Sequence, residues 1–157
     1  NIFSETLKQL DKSKYFLLIF GNFWSQETLN NIGIEYRSLG YIDNAKFLNA
    51  MYCSADIFVA SSIEDAWPKT FAEAMYCGTP VVCFNNTSIS EVVDHKINGY
   101  VVNQFNSNQL KDGINWLSEE IKKDNLMNDN ARAKILNFDA IVIAKKYIDL
   151  YKNTLKK

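Results

Sequence analysis

The chain of 157 residues is 47% apolar and 22% charged, the make-up of a folded globular domain and not of a disordered segment. Its 17 basic and 18 acidic side chains leave a formal net charge of −1, which offers no basic face to nucleic acid or to an anionic membrane. A chain of this length buries roughly 69% of its unfolded surface and fits a single domain, residues 1–157.

Three cysteines, Cys53, Cys77 and Cys83, lie in apolar stretches without CxxC or Cys/His spacing, and are expected to be reduced core residues. His95 is the single histidine, too few parts for a His-based metal site or a Ser-His-Asp relay. The longest apolar run, Tyr15–Phe20, is far too short to span a bilayer, and no signal-peptide pattern opens the chain. There is no initiator Met, so Asn1 is read as a cut end.

In chain order, Tyr15–Phe20 is a β-type run that stops at Gly21, and Glu35–Leu39 is a weaker strand ending at Gly40. Residues 44–54 read as a helix: Leu48, Met51 and Tyr52 share one face after a cap at Asp43. Ile57–Ala60 is a strand stopping at Ser61-Ser62. Residues 69–77 place Phe71, Ala74 and Met75 on one helical face, with Gly78 to end the helix. Pro80–Phe84 forms a fourth strand with proline tolerated at its first position. Ser88–Glu91 reads as a capping box opening a short helix, with Glu91 as cap partner, and Gly99–Val102 is a short fifth strand. Leu110, Ile114, Leu117 and Ile121 line one face of a longer helix, followed by helices over 125–136 and 139–155. Strands alternating with helices predict a Rossmann-like, doubly wound α/β fold: a mainly parallel sheet with helices on both faces. Continuously apolar runs mean strands covered on both sides.

In such sheets ligands bind beyond the carboxyl ends of the strands, here Gly21-Asn22, Gly40-Tyr41, Ser61-Ser62 and Asn85-Asn86. The most informative stretch is Ser61 to Met75, which sets Asp65 in the loop after a strand, begins a helix near Pro68 and places Glu73 about one turn inside it. Free amides around Lys69 and Thr70, at the positive end of the helix dipole, suit a phosphate. The Glu73 carboxylate can take two hydrogen bonds from a vicinal diol such as a ribose, and Asp65 can meet sugar hydroxyls or a reacting centre. Both acids also have plainer uses, Asp65 as a helix cap and Glu73 as the partner of a surface lysine. Packing is the expected use of Trp67, Trp24 and Trp116, and a surface position in the turn before Asn98-Gly99 is expected of His95.

From Tyr52 to Val102 the chain resembles the C-terminal, nucleotide-sugar-binding lobe of retaining family 4 (group 1) glycosyltransferases of the GT-B fold. The resemblance rests on Tyr52-Cys-Ser-Ala-Asp56-Ile-Phe-Val-Ala-Ser-Ser62, on Asp65 to Glu73, and on Glu73-Ala-Met-Tyr-Cys-Gly-Thr-Pro-Val-Val82. It continues through Glu91-Val-Val and His95-Lys-Ile-Asn-Gly-Tyr-Val-Val102, and Phe138-Asp139 to Tyr151 resembles the terminal helix.

The resemblance implies that Glu73 holds the nucleotide ribose, while Asp65 and the backbone of Ala66, Trp67 and Lys69 hold the donor sugar. It also implies that the Lys69 and Thr70 amides lie near the diphosphate, that the Ile42 backbone meets the base and that Gly21 permits close approach. Asp65 stands where the family has a glutamate, one carbon longer, with Glu64 one residue too early; Pro68 replaces a common glycine and removes one donor amide.

The implied reaction transfers a hexosyl unit from a nucleotide diphosphate, a UDP-sugar above others, to a glycan or lipid-linked acceptor in bacterial surface polysaccharide synthesis. Configuration is retained and no metal or other cofactor is called for. The family's first strand, its diphosphate-clamping Arg and Lys and its acceptor lobe are expected to precede this chain. On that reading the chain is an inactive fragment of a cytoplasmic enzyme, peripheral at the inner membrane face, and self-associates through open sheet edges; a sharp sedimenting monomer would count against self-association. Two alternatives stay open: a nucleotide-sugar epimerase of GT-B-like fold, and a non-catalytic nucleotide-binding α/β module. The helix carrying Tyr147, Ile148 and Tyr151 either reaches the missing lobe or packs on this chain.

Overall fold

A computed structural model of the chain describes residues 2–21, 25–64, 66–85 and 88–155. The elements run α1 (Ile2–Gln9), β1 (Phe16–Ile19), α2 (Gln26–Asn30), β2 (Glu35–Ser38), α3 (Ala45–Ser54), β3 (Phe58–Ala60), α4 (Lys69–Tyr76) and β4 (Val81–Phe84). A 3-10 turn (Ser88–Glu91), β5 (Gly99–Val102), α5 (Ser107–Glu120), α6 (Leu126–Leu136) and α7 (Ala140–Thr154) complete the order. Each strand lies inside its predicted run. Helix α2, a single short turn of polar sequence capped by Ser25, lacks the apolar period that would announce it. The cap of α3 is Asn44, whose side chain accepts the Phe47 N–H at 3.0 Å, one residue beyond the predicted Asp43. The capping box at Ser88 closes as one 3-10 turn that buries Ile89.

All ladders are parallel, but they form two groups: β1 pairs with β2, and β4 lies between β3 and β5. Both groups nevertheless feed one apolar cluster, in which Ile19 and Ile34 join Val82, Phe84, Val102, Leu110 and Leu117. The opposite face of β4 carries Val81 and Cys83 into a second cluster with Phe71, Met75, Val92 and Ile135. The Pro80–Phe84 run is continuously apolar for this reason: successive side chains enter opposite cores, and all four strand residues are buried. Helix α5 covers the first face and α4 the second, with Phe71, Ala74 and Met75 all fully buried.

One expectation fails. Of the three cysteines only Cys83 is core; Cys77 is half-buried and Cys53 exposed. Cys53 follows Tyr52 on α3, and a 100° step around the helix turns it away from the core that Tyr52 enters. Of the two uses left open for helix α7, packing on this chain is confined to its start: Val142 and Ile143 are half-buried, while Tyr147, Ile148 and Tyr151 are at least half exposed.

Candidate donor-binding site

Helix α4 begins directly after Pro68, which acts as N-cap without a side-chain hydrogen bond. At α2, α3, α5 and α7, by contrast, a Ser, Asn or Asp side chain accepts a first-turn amide. Pro68 itself therefore offers no side-chain acceptor to the first-turn N–H groups of α4, those of Lys69 and Thr70 among them, which lack intrahelical acceptors as at any helix start. This is the electropositive helix start that an anion requires. Lys69 is exposed and Thr70 half-buried there.

Glu73 follows one turn later, and the structure gives it a partner that the sequence did not announce. The Tyr52 hydroxyl donates to Glu73 Oε2 at 2.9 Å across the α3–α4 interface. Tyr52 is buried, and its hydroxyl is pushed far up from the usual phenol range, by burial first and by the bond to Glu73 second. It thus stays a neutral donor. Tyr52 is in turn held by Thr79, whose hydroxyl donates to the Tyr52 carbonyl at 2.7 Å in the interior. The bland alternative for Glu73, a surface ion pair, is replaced by this half-buried bond. An ionised carboxylate has about four lone-pair directions, so one bond from Tyr52 leaves Glu73 able to take two ligand hydroxyls.

Gly21 joins the same neighbourhood through its chain neighbour: the Phe20 ring meets the Tyr52 ring edge to face, 5.5 Å between centroids. Gly21 has φ +91°, and its N–H donates to the Gly40 carbonyl at 2.8 Å, tying together the ends of β1 and β2. At this φ a side chain would be strained. Ile42 is half-buried in the loop between β2 and α3, at the end of α3 away from Tyr52. Ala66 and Trp67 precede α4 and are exposed. The Trp67 ring leans on Phe71 at 5.1 Å and Phe138 at 5.6 Å while remaining 42% exposed, the rim packing expected of it. Asp65 lies outside the described residues, as do Asn22, Trp24 and Asn86.

On the shelf formed by Glu73 and the start of α4, Lys69 is exposed and Thr70 and Glu73 are half-buried. Two hollows, of about 300 and 320 Å³, lie elsewhere: one along β5 and α5, lined by His95, Tyr100, Gln109 and Asp112, the other beside α2. At the first of these, His95 is exposed as expected but is also engaged. Its Nδ1 accepts the Val101 N–H at 3.1 Å, and its ring stacks on Tyr100 at 4.5 Å. The imidazole thereby covers an outward N–H on the edge strand of the sheet. Tyr100 packs on Trp116, at 5.5 Å, so Trp116 is a packing residue as expected.

Comparison with known proteins identifies the family and the fold. The model of the family described as glycosyl transferases group 1 matches residues 2–134. The chain is 25% identical, over 157 residues, to the Campylobacter jejuni N,N'-diacetylbacillosaminyl-diphospho-undecaprenol alpha-1,3-N-acetylgalactosaminyltransferase; the match covers 98% of the chain and 41% of that protein. Among solved structures, Anabaena HepE in complex with UDP superposes with TM-score 0.79 at 22% identity, covering 97% of this chain and 44% of HepE. The C-terminal domain of a group 1 glycosyl transferase from Francisella tularensis superposes with TM-score 0.62 at 16% identity, covering 86% of this chain and 91% of that domain. The chain thus spans less than half the length of the first two relatives, and its fold is that of a GT-B C-terminal lobe. Taken with its two-faced parallel sheet, the match over most of its length shows that the chain belongs to the glycosyl transferases group 1 family.

Proposed function

We propose that the chain is the donor-binding lobe of a retaining hexosyltransferase that uses a UDP-sugar and serves bacterial surface polysaccharide synthesis at the cytoplasmic side of the membrane. One observation carries the reading: a Glu73 carboxylate fixed by Tyr52 at 2.9 Å, one turn inside a helix whose N-cap, Pro68, contributes no side-chain hydrogen bond. Glu73 takes the ribose hydroxyls, and the Thr70 and Lys69 amides with the Lys69 ammonium take the charge that develops on the leaving diphosphate. Asp65, with the backbone of Ala66 and Trp67, holds the sugar at the anomeric carbon. The Ile42 backbone meets the base, and Gly21 lets the ligand approach the end of β1.

UDP is favoured because HepE, which shares the fold, was crystallised with UDP and with UDP-glucose. A lipid-linked or glycan acceptor is favoured by the undecaprenol-diphosphate substrate in the name of the Campylobacter relative. The exposure of Lys69 on the shelf fits a cleft that a second lobe closes. In the same reading, a strand from that larger protein joins the β1–β2 pair to the β3–β4–β5 group. Calorimetric titration of the full-length protein with UDP and with GDP tests the proposal. Saturable UDP binding with weaker GDP binding is expected; a preference for GDP, or binding of neither, would overturn the donor assignment.

A further inference from the structure

We infer that Cys53 and Cys77 are a reactive thiol pair that oxidation joins into a disulfide bridging α3 and α4. Cys77 caps the C-terminal end of α4, and its Sγ donates to Asn49 Oδ1 at 3.1 Å and lies 3.7 Å from the Asn49 carbonyl. Asn49 and Cys53 are four residues apart on α3 and so share one face. Cys77 therefore faces the ridge on which Cys53 stands. The electrostatics agree: burial first, and the neighbouring Cys53 next, push the Cys77 thiol up to about 12, against an opposing pull from Arg132. The interface is clamped from below by Thr79, which bonds the carbonyls of Tyr52 and Ala55 at 2.7 and 3.4 Å. The two cysteines thus meet between fixed helices and not on mobile loops.

Exposure assigns the order of events. Cys53 is open to solvent and reacts first, Cys77 is half-buried and resolves, and Cys83 is sealed in the core and pushed up to about 12 by burial. With oxidised glutathione as oxidant, the Cys53 thiolate attacks one sulfur of that disulfide and expels a glutathione thiolate. Cys77 then gives its proton to solvent and attacks the Cys53 sulfur, expelling the second glutathione. Two protein thiols are oxidised while one oxidised glutathione is reduced to two thiols. The bridge encloses residues 53–77, including the loop before α4 and Glu73, and falls next to Tyr52 in sequence and one turn beyond Glu73. It would fix the donor shelf from behind; that consequence rests on the proposed function, whereas the bridge itself does not.

The test incubates the purified full-length protein with excess oxidised glutathione, then counts thiols under denaturing conditions and maps peptides. Among the three cysteines, the expected result is loss of the Cys53 and Cys77 thiols, retention of Cys83, a mass lower by two hydrogens and linkage of the two peptides within a monomer. Dithiothreitol should restore both thiols, and the oxidised form should melt higher because its unfolded chain is constrained. Cys77→Ser should stop at a glutathione adduct on Cys53, and Cys83→Ser should leave the bridge intact. A lasting adduct on Cys53 in the unsubstituted protein, dimers linked through Cys53, or unreacted thiols would overturn the pair. A bridge that forms without shifting UDP affinity would overturn the link to the shelf, and a Glu73→Ala titration separates that result from failure of the ribose reading.

Discussion

Replacing Glu73 with Ala in the full-length protein removes the one side chain on which the donor reading depends. A hydrogen bond to a charged group contributes about 1.5–3 kcal/mol net, so two ribose hydroxyls on one carboxylate represent roughly 3–6 kcal/mol. Glu73 is half-buried and solvent competes for it, which favours the lower bound. At about 1.4 kcal/mol per decade, a loss of about 3 kcal/mol weakens UDP roughly a hundredfold. Inorganic pyrophosphate, which would touch only the start of α4, should bind equally to both proteins. Tyr52→Phe deletes the 2.9 Å bond but leaves the carboxylate in place, so the expected loss is only about 1 kcal/mol, roughly fivefold. Because Tyr52 acts through Glu73, the double variant should be no weaker than Glu73→Ala alone. Calorimetry measures all four proteins, and thermal melting checks that each is folded. Unchanged UDP affinity in a folded Glu73→Ala protein would refute the ribose assignment, and full additivity in the double variant would place Tyr52 on the ligand itself.

Two further outcomes follow from groups outside the shelf. His95 is pulled below the usual imidazole value of about 6.5, by partial burial first and by the Lys96 charge second. The unfolded chain then binds the proton more readily than the folded one, so stability is full above about pH 6.5 and declines as pH falls below it. His95→Gln should flatten the melting temperature between about pH 5 and 6.5, and an unchanged slope would refute this assignment. Gly99→Ala would drive a methyl group into the backbone carbonyl of Val81 on the neighbouring strand, which cannot yield. Gly113→Ala meets the Tyr100 ring at 2.7 Å, where a side chain can shift, and should cost about 1–3 kcal/mol. Urea unfolding should therefore rank Gly99→Ala as the more damaging of the two, and the reverse order would contradict the packing.

Local sequence chemistry was enough to locate the strands and most helices. The runs 15–20, 57–60 and 80–84 are apolar without alternation, yet only β4 is buried throughout; β1 leaves Phe16 exposed, and Phe58 and Val59 of β3 are half-buried. Phe71, Ala74 and Met75 recur at helical spacing before Gly78, whose φ of +81° ends α4 as a glycine at that position should. The likeness from Tyr52 to Val102 was legible for the same reason, since it lies in contiguous stretches. The same local reading missed α2, where a single leucine among four polar residues offers no period, and misplaced Cys53, whose apolar neighbours say nothing about the side of α3 it occupies.

What the order of amino acids alone determined is the α/β alternation and the position of Glu73 one turn inside a helix that begins at Pro68. Only the tertiary structure decided that Tyr52, 21 residues earlier, supplies the hydroxyl that holds Glu73, that Cys77 faces Asn49 across α3, and that His95 covers the edge of β5. Each of these is a contact between side chains from different elements. A periodic pattern encodes which face of one element is buried, but not the distance or rotation at which two elements meet. Those are set by the packing of the two cores on either side of β4.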